Sequence, residues 1–171
     1  MKRITTGTKN FKEFFDNNYY YVDKTMLIED VISDKVIFYT RPRRFGKTLN
    51  MSMLYYFFSN KEKDHAYLFD GLDVSKHQEL MIHQNKYPVI FISLKDMQAL
   101  NMEEQKNQFS FLISFLIKGF PELLDSPKLD DDDKYRLDKL KTSKGSLYEL
   151  KNSLFLISQC LYKYYQKKSL F

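Results

Sequence analysis

Residues 36–58 read Val-Ile-Phe-Tyr-Thr-Arg-Pro-Arg-Arg-Phe-Gly-Lys-Thr-Leu-Asn-Met-Ser-Met-Leu-Tyr-Tyr-Phe-Phe. An apolar strand over 36–39 runs into a basic loop, 41–48, that closes on Gly46-Lys47-Thr48, and an amphipathic helix starts where the loop ends. This is the layout of a phosphate-binding loop. Strand, loop and helix N-terminus together place backbone N–H groups, an ammonium and a hydroxyl around the phosphates of one nucleotide. A continuous apolar strand of this kind belongs in a sheet covered on both faces, so the segment constrains the fold as well as the chemistry.

The generic pattern also asks for a glycine five residues before Gly46, where this chain carries Arg41. Glycine there lets a loop wrap phosphates tightly; Pro42 stiffens the turn instead. Backbone N–H groups from about Arg44 through Phe45, Gly46, Lys47 and Thr48 to Leu49, at the positive end of the helix dipole, are expected to bind phosphate oxygens. Lys47 is expected to reach the β- and γ-phosphates and the Thr48 hydroxyl to ligate Mg²⁺. Arg41, Arg43 and Arg44 leave three readings open: they grip nucleotide phosphates, reach nucleic acid, or are simply solvated.

Around this loop the pattern predicts mostly helices. Phe11 to Asp16 reads as a short helix, and Asp23 as the cap of another running through Ile32. The loop helix extends from Lys47 to about Ser59, with Leu49, Met53, Leu54 and Phe57 at helical spacing. Another helix is expected over His77 to Gln84, and Pro88 opens a second strand, 89–94. Met102 to Lys118 puts Phe109, Leu112, Ile113 and Leu116 on one stripe, and helices follow over Asp131 to Leu140 and Ser146 to Tyr165. Two parallel strands joined by helical crossovers make the expected class α/β, a partial P-loop NTPase with an incomplete sheet.

Other chemistry-bearing residues have plainer readings. Tyr19 to Thr25 is either an apolar staple with an Asp cap or a segment lying over a nucleotide base. Asp130 to Asp133 departs from a calcium loop, because Lys134 and Tyr135 follow where a ligand and a glycine belong, and it reads as an acidic helix start. His65, His77 and His83 read as solvated surface groups, and Lys95-Asp96 as either a site pair or a helix start. Cys160 is the single cysteine, so an internal disulfide is excluded and a buried, inert thiol in a reducing cytoplasm is expected. A net charge of +5 suits phosphate or nucleic-acid partners without separating them. The longest nearly apolar run, Phe109 to Ile117, falls short of the ~20 residues of a membrane helix, so no membrane partner is expected.

Four blocks together resemble a known family, the predicted AAA-ATPase-like domain often fused to a PD-(D/E)xK nuclease-like domain. They are Tyr20-Tyr21-Val22-Asp23-Lys24-Thr25, Arg41-Pro42-Arg43-Arg44-Phe45-Gly46-Lys47-Thr48-Leu49-Asn50, Leu68-Phe69-Asp70-Gly71-Leu72 and Tyr87 to Asp96. The family itself carries Arg-Pro-Arg-Arg-Phe where the generic loop has glycine. The resemblance implies ATP binding at Gly46, Lys47 and Thr48, with Arg43 and Arg44 in the same loop, and it raises a base contact by Tyr21 and Asp23. It also implies a later apolar strand ending in Asp-Glu, the Walker B carboxylates, which these residues do not include.

The expectation is therefore that 1–171 is the N-terminal portion of one such domain, without a second domain, binding ATP with Mg²⁺ rather than hydrolysing it. The competing expectations are a non-functional fragment of a longer ATPase or nuclease-like protein, and a basic nucleic-acid-binding module. The latter's affinity falls steeply with salt.

Overall fold

The computed structural model describes residues 2–5, 7–34, 36–40, 42, 45–95 and 97–171. Helices dominate: α1 (Phe11–Asp16), α2 (Leu27–Ser33), α3 (Lys47–Phe58), α4 (Gln78–Met81), α5 (Met102–Lys118), α6 (Asp131–Lys141), α7 (Leu147–Lys151) and α8 (Ser153–Tyr165), with 3-10 turns at Lys63–Phe69, Asp73–Lys76 and Pro121–Leu123. The chain divides into two compact units, Met1–Tyr87 and Pro88–Phe171.

The first unit is built on aromatic rings. Phe11 of α1 stacks on Phe69 with centroids 5.2 Å apart, and Phe57 of α3 meets the same Phe69 edge-on at 5.1 Å. All three are fully buried, along with Ile28, Met53 and Leu68. Aromatic pairs in such geometries contribute about 0.5–1.5 kcal/mol beyond the area they bury. α1 is also tied to α3 through its backbone, since the Phe11 N–H donates to Ser52 Oγ at 3.0 Å. The far end of α3 is closed by Asn85. Its side-chain amide donates to the carbonyls of Tyr56 (3.0 Å) and Ser59 (2.9 Å), and its N–H donates to Phe57 O at 2.7 Å. Asn85 does this from the left-handed region, φ 54°, which asparagine adopts more readily than most side chains.

The second unit is a helical cluster. Ile113 and Ile117 of α5, Leu137 and Leu140 of α6, Leu150 of α7, and Ile157, Cys160 and Leu161 of α8 share one buried core. Local capping sets the helix starts: Asn101 Oδ1 accepts from Glu104 N–H at 2.8 Å, and Asp130 Oδ1 accepts from Asp133 N–H at 2.8 Å. The acidic run at 130–133 therefore opens α6, as expected, and Asp130 and Asp133 also hold the Lys163 ammonium of α8. The helix expected over Ser146 to Tyr165 is two helices. At the break, Asn152 Nδ2 donates to Tyr148 O (2.9 Å) and Ser153 Oγ to Leu150 O (2.7 Å), so polar side chains compete for carbonyls that a continuous helix would use.

The α/β expectation is overturned. Among the described residues there is no strand and no sheet, only isolated bridges between Arg3 and Tyr19, Ser59 and Tyr87, and Val89 and Leu170. A strand exists only when a neighbour completes its ladder, and among the described residues neither apolar run gains more than an isolated bridge. In the 36–39 run Val36 and Phe38 are exposed, at 73% and 89%. In the 89–94 run Ile90 N–H donates to Leu170 O at 2.7 Å and Leu170 N–H to Pro88 O at 3.0 Å, which makes the isolated Val89–Leu170 bridge. Both runs have strand-like composition, which is a packing preference and not a partner.

The three histidines also have neighbours: His65 Nδ1 lies 2.6 Å from Glu62 Oε2, His77 Nδ1 3.1 Å from Glu79 Oε1, and His83 bonds the Tyr87 hydroxyl.

Burial pushes the Cys160 thiol up to about 12, with Asp133 adding to the effect. A thiol that stays protonated and buried is unreactive. Ellman's reagent at pH 8 is expected to leave Cys160 unmodified in the native chain and to titrate one thiol in 6 M guanidinium; rapid native labelling would contradict the packing of α8.

Candidate phosphate-binding site

The first turn of α3 begins on Gly46, at φ 78° and ψ 20°. That left-handed conformation is open to glycine at little cost and strained for most side chains. The Gly46 carbonyl accepts the Asn50 N–H at 2.9 Å and closes the first helical turn. α1, α5, α6 and α7 start on side-chain caps from Asn10, Asn101, Asp130 and Ser146. α3 starts without one, as α2, α4 and α8 do, and its first turn holds no acidic residue. Among the described residues no side chain caps its leading N–H groups. Lys47 and Thr48 are exposed and Leu49 half-buried, while Phe45 is exposed and its N–H donates to Pro42 O at 3.4 Å. The segment before the loop is tied to the helix after it, because the buried Asn50 amide donates to Tyr39 Oη at 2.9 Å. Arg41, Arg43, Arg44 and Asp96, named in the sequence reading, lie outside the described residues.

Residues 21–25 approach the same helix start. Asp23 Oδ1 accepts from the Thr25 N–H (2.8 Å) and hydroxyl (2.7 Å), and Asp23 Oδ2 accepts from the Asp73 N–H (2.7 Å). Thr25, fully buried, accepts the Val74 N–H at 3.1 Å on the same hydroxyl oxygen. Two side chains, one residue apart, therefore clamp the start of the Asp73–Lys76 turn. Tyr21 puts its ring edge-on against Phe11 and Phe14, at 5.2 and 6.0 Å, and burial pushes its phenol up so that it stays protonated. Asp23 acts as the organiser of a turn and not as the cap itself, since α2 begins later, at Leu27.

Between the clamp residues sits Lys24. A Cβ placed on Gly46 would lie 3.9 Å from Lys24 Nζ, so the ammonium rests against the glycine that opens α3. Sequence reading passed over Lys24, because in a local view it is merely the residue between a capping Asp and a Thr. Its inclusion in the Tyr20 to Thr25 block was the available signal.

The donor types suit a phosphate: N–H groups with no side-chain cap, lysines at 24 and 47, the Thr48 hydroxyl, and a left-handed glycine at the helix start beside Lys24. Among the described residues no group of three His, Cys, Asp or Glu side chains could hold a metal ion.

A family model described as predicted AAA-ATPase matches residues 5–168. The chain belongs to this AAA-ATPase-like family. An Azotobacter chroococcum mcd 1 protein described as "Uncharacterized protein in vnfD 5'region" is 34% identical over 94 residues, 54% of this AAA-ATPase-like chain and 17% of that protein. The chain thus matches less than a fifth of that relative's length. No solved structure matches it. Among the described residues no helix is long and apolar enough to cross a membrane.

The clamp makes two predictions. Thr25→Val leaves the Val74 N–H without its acceptor and removes a donor to Asp23, so urea unfolding at pH 7 is expected to show a loss of about 1–3 kcal/mol; an unchanged midpoint would discount the clamp. The Asp23 carboxyl is held below its ordinary range: burial opposes ionisation, but the Thr25 and Asp73 N–H groups, the Thr25 hydroxyl and the Lys76 charge outweigh it. A depressed folded value means that ionised Asp23 stabilises the fold above about pH 4 and that this contribution fades as pH falls further. The stability gap between wild type and Asp23→Asn, measured by urea midpoints, is expected to narrow from pH 7 to pH 3; a gap of constant size would refute this.

Proposed function

We propose that this chain binds a nucleoside triphosphate, ATP with Mg²⁺, at the start of α3. The observation that carries the reading is the uncapped first turn opening on left-handed Gly46, with Lys47 and Thr48 exposed beside it. Membership of a family described as predicted AAA-ATPase supports the same class of ligand. In this reading the N–H groups of Lys47, Thr48 and Leu49 meet phosphate oxygens, and their alignment with the helix dipole favours the anion further. Lys47 supplies a mobile ammonium to the outer phosphates, and Thr48 supplies the one hydroxyl toward Mg²⁺. The metal neutralises phosphate charge when bound. Arg43 and Arg44 belong to the same loop in sequence and add cations to it. Phe45, exposed at 56%, is placed to pack on a bound ligand's apolar surface. Tyr21 and Asp23 contribute by holding the backbone from which Lys24 projects.

The reading is one of binding. It is tested by titrating a fluorescent ATP analogue with Mg²⁺ into wild type and Lys47→Ala. One lost charge-assisted contact to phosphate is worth about 1.5–3 kcal/mol, so Lys47→Ala is expected to weaken binding at least about tenfold. Equal affinity for both chains, or none for wild type, ends the reading. Affinity that collapses with salt and survives excess ATP would mark a nucleic-acid site instead.

A further inference from the structure

We infer that Lys24, which no phosphate-loop pattern includes, is a second phosphate-binding lysine of this site. The inference rests on the nucleotide reading above and deepens it.

Lys24 Nζ lies 3.9 Å from where a Gly46 Cβ would be, so its ammonium stands against the backbone that starts α3. The position is imposed from both sides. Asp23 is bonded to Thr25 and to the Asp73 N–H, Thr25 is bonded to the Val74 N–H, and the Lys24 carbonyl accepts the Leu27 N–H at 3.1 Å to lead into α2. A lysine on a loose loop would place its charge in water. This one extends from a pinned turn.

The electrostatics of the place are unfavourable without a ligand. Helix N-termini are positive and favour carboxylates, yet here a lysine side chain approaches the N-terminus of α3, and the next residue in that helix is Lys47. Among the described residues no carboxylate pairs with either Lys24 or Lys47, although carboxylates pair with Lys12, Lys76, Lys139 and Lys163 elsewhere. An ammonium beside the N-terminus of α3, with no carboxylate partner among the described residues, is an arrangement that a polyanion relieves. Gly46 contributes through its backbone: at φ 78° it holds a left-handed conformation that is strained for most side chains, and a Cβ there would touch Lys24 Nζ at 3.9 Å. In this arrangement Lys47 approaches the phosphates from the helix and Lys24 from the clamp, so an anion between them is held by cations from two separate segments. A triphosphate gains more from this than a monophosphate, because it presents more charge to both.

Charge and stability separate this role from a structural one. In the ligand-free chain Lys24 opposes the helix dipole, so Lys24→Met, which keeps an apolar stem of similar length, is expected to melt at or above the wild-type temperature. The same substitution is expected to weaken the fluorescent ATP analogue about tenfold in the presence of Mg²⁺, to weaken the AMP analogue less, and to shrink the rise in melting temperature that ATP produces. Lys24→Arg is expected to restore ATP affinity to within about threefold of wild type, since it returns the charge. Wild-type affinity in Lys24→Met, with Lys47→Ala still defective, would remove Lys24 from the site and leave the nucleotide reading standing. A lower melting temperature in ligand-free Lys24→Met with unchanged ATP affinity would make Lys24 a packing residue. Failure of the wild-type chain to bind any of the analogues would overturn both readings together.

Discussion

The first unit depends on one buried hydroxyl. Thr25 gives its proton to Asp23 and receives one from the Val74 backbone, and Asp23 in turn receives the Asp73 N–H. These bonds join points about fifty residues apart in the chain, between segments that contribute few apolar side chains of their own. Hydrogen bonds that share one donor–acceptor network, anchored here on the buried Thr25, rigidify what they join. Everything proposed for the helix start inherits that rigidity, since the lysine that faces Gly46 is the residue between the two side chains of the clamp.

What the sequence disclosed was what could be settled within a few residues. The bounds of α1, α3 and α5 follow from local spacing and from groups such as Asn101 and Asp130, whose side chains cap the helix they precede. The stripe Phe109, Leu112, Ile113 and Leu116 was legible for the same reason: a period of 3.6 placed it, with Ile113 and Leu116 buried and Phe109 and Leu112 packed against the same core. The expected strands failed because pairing is not local: Val36 to Tyr39 and Val89 to Leu94 look like strands by composition, and composition names no partner. Ser146 to Tyr165 failed more subtly, because its apolar period continues across a break made by the polar atoms of Asn152 and Ser153.

The candidate site divides along the same line. Gly46, Lys47 and Thr48 form a contiguous word, readable without a structure, and the helix that starts there was expected at that residue. Lys24 is brought to the site by hydrogen bonds to residues 73 and 74, and no pattern along the chain encodes that approach. Tyr21 and Asp23 were singled out in the sequence for contact with a base. In the structure the ring of one is packed among phenylalanines, and both carboxylate oxygens of the other are engaged within the fold.

The two ends of α3 are held unequally. Asn85 closes the C-terminal carbonyls of Tyr56 and Ser59, and Phe57 is locked among rings, whereas the N-terminal turn has no cap of its own. The helix is therefore indexed by the residues behind that turn, where Asn50 meets Tyr39, Ser52 meets the Phe11 N–H and Phe57 packs on Phe69. Each residue of an α-helix advances about 1.5 Å and turns about 100°, so adding or deleting one residue between Asn50 and Phe57 would carry Gly46 and Lys47 around the axis while the anchored end stayed in place. The length of α3, more than the identity of its middle residues, decides which way the Gly-Lys-Thr turn faces.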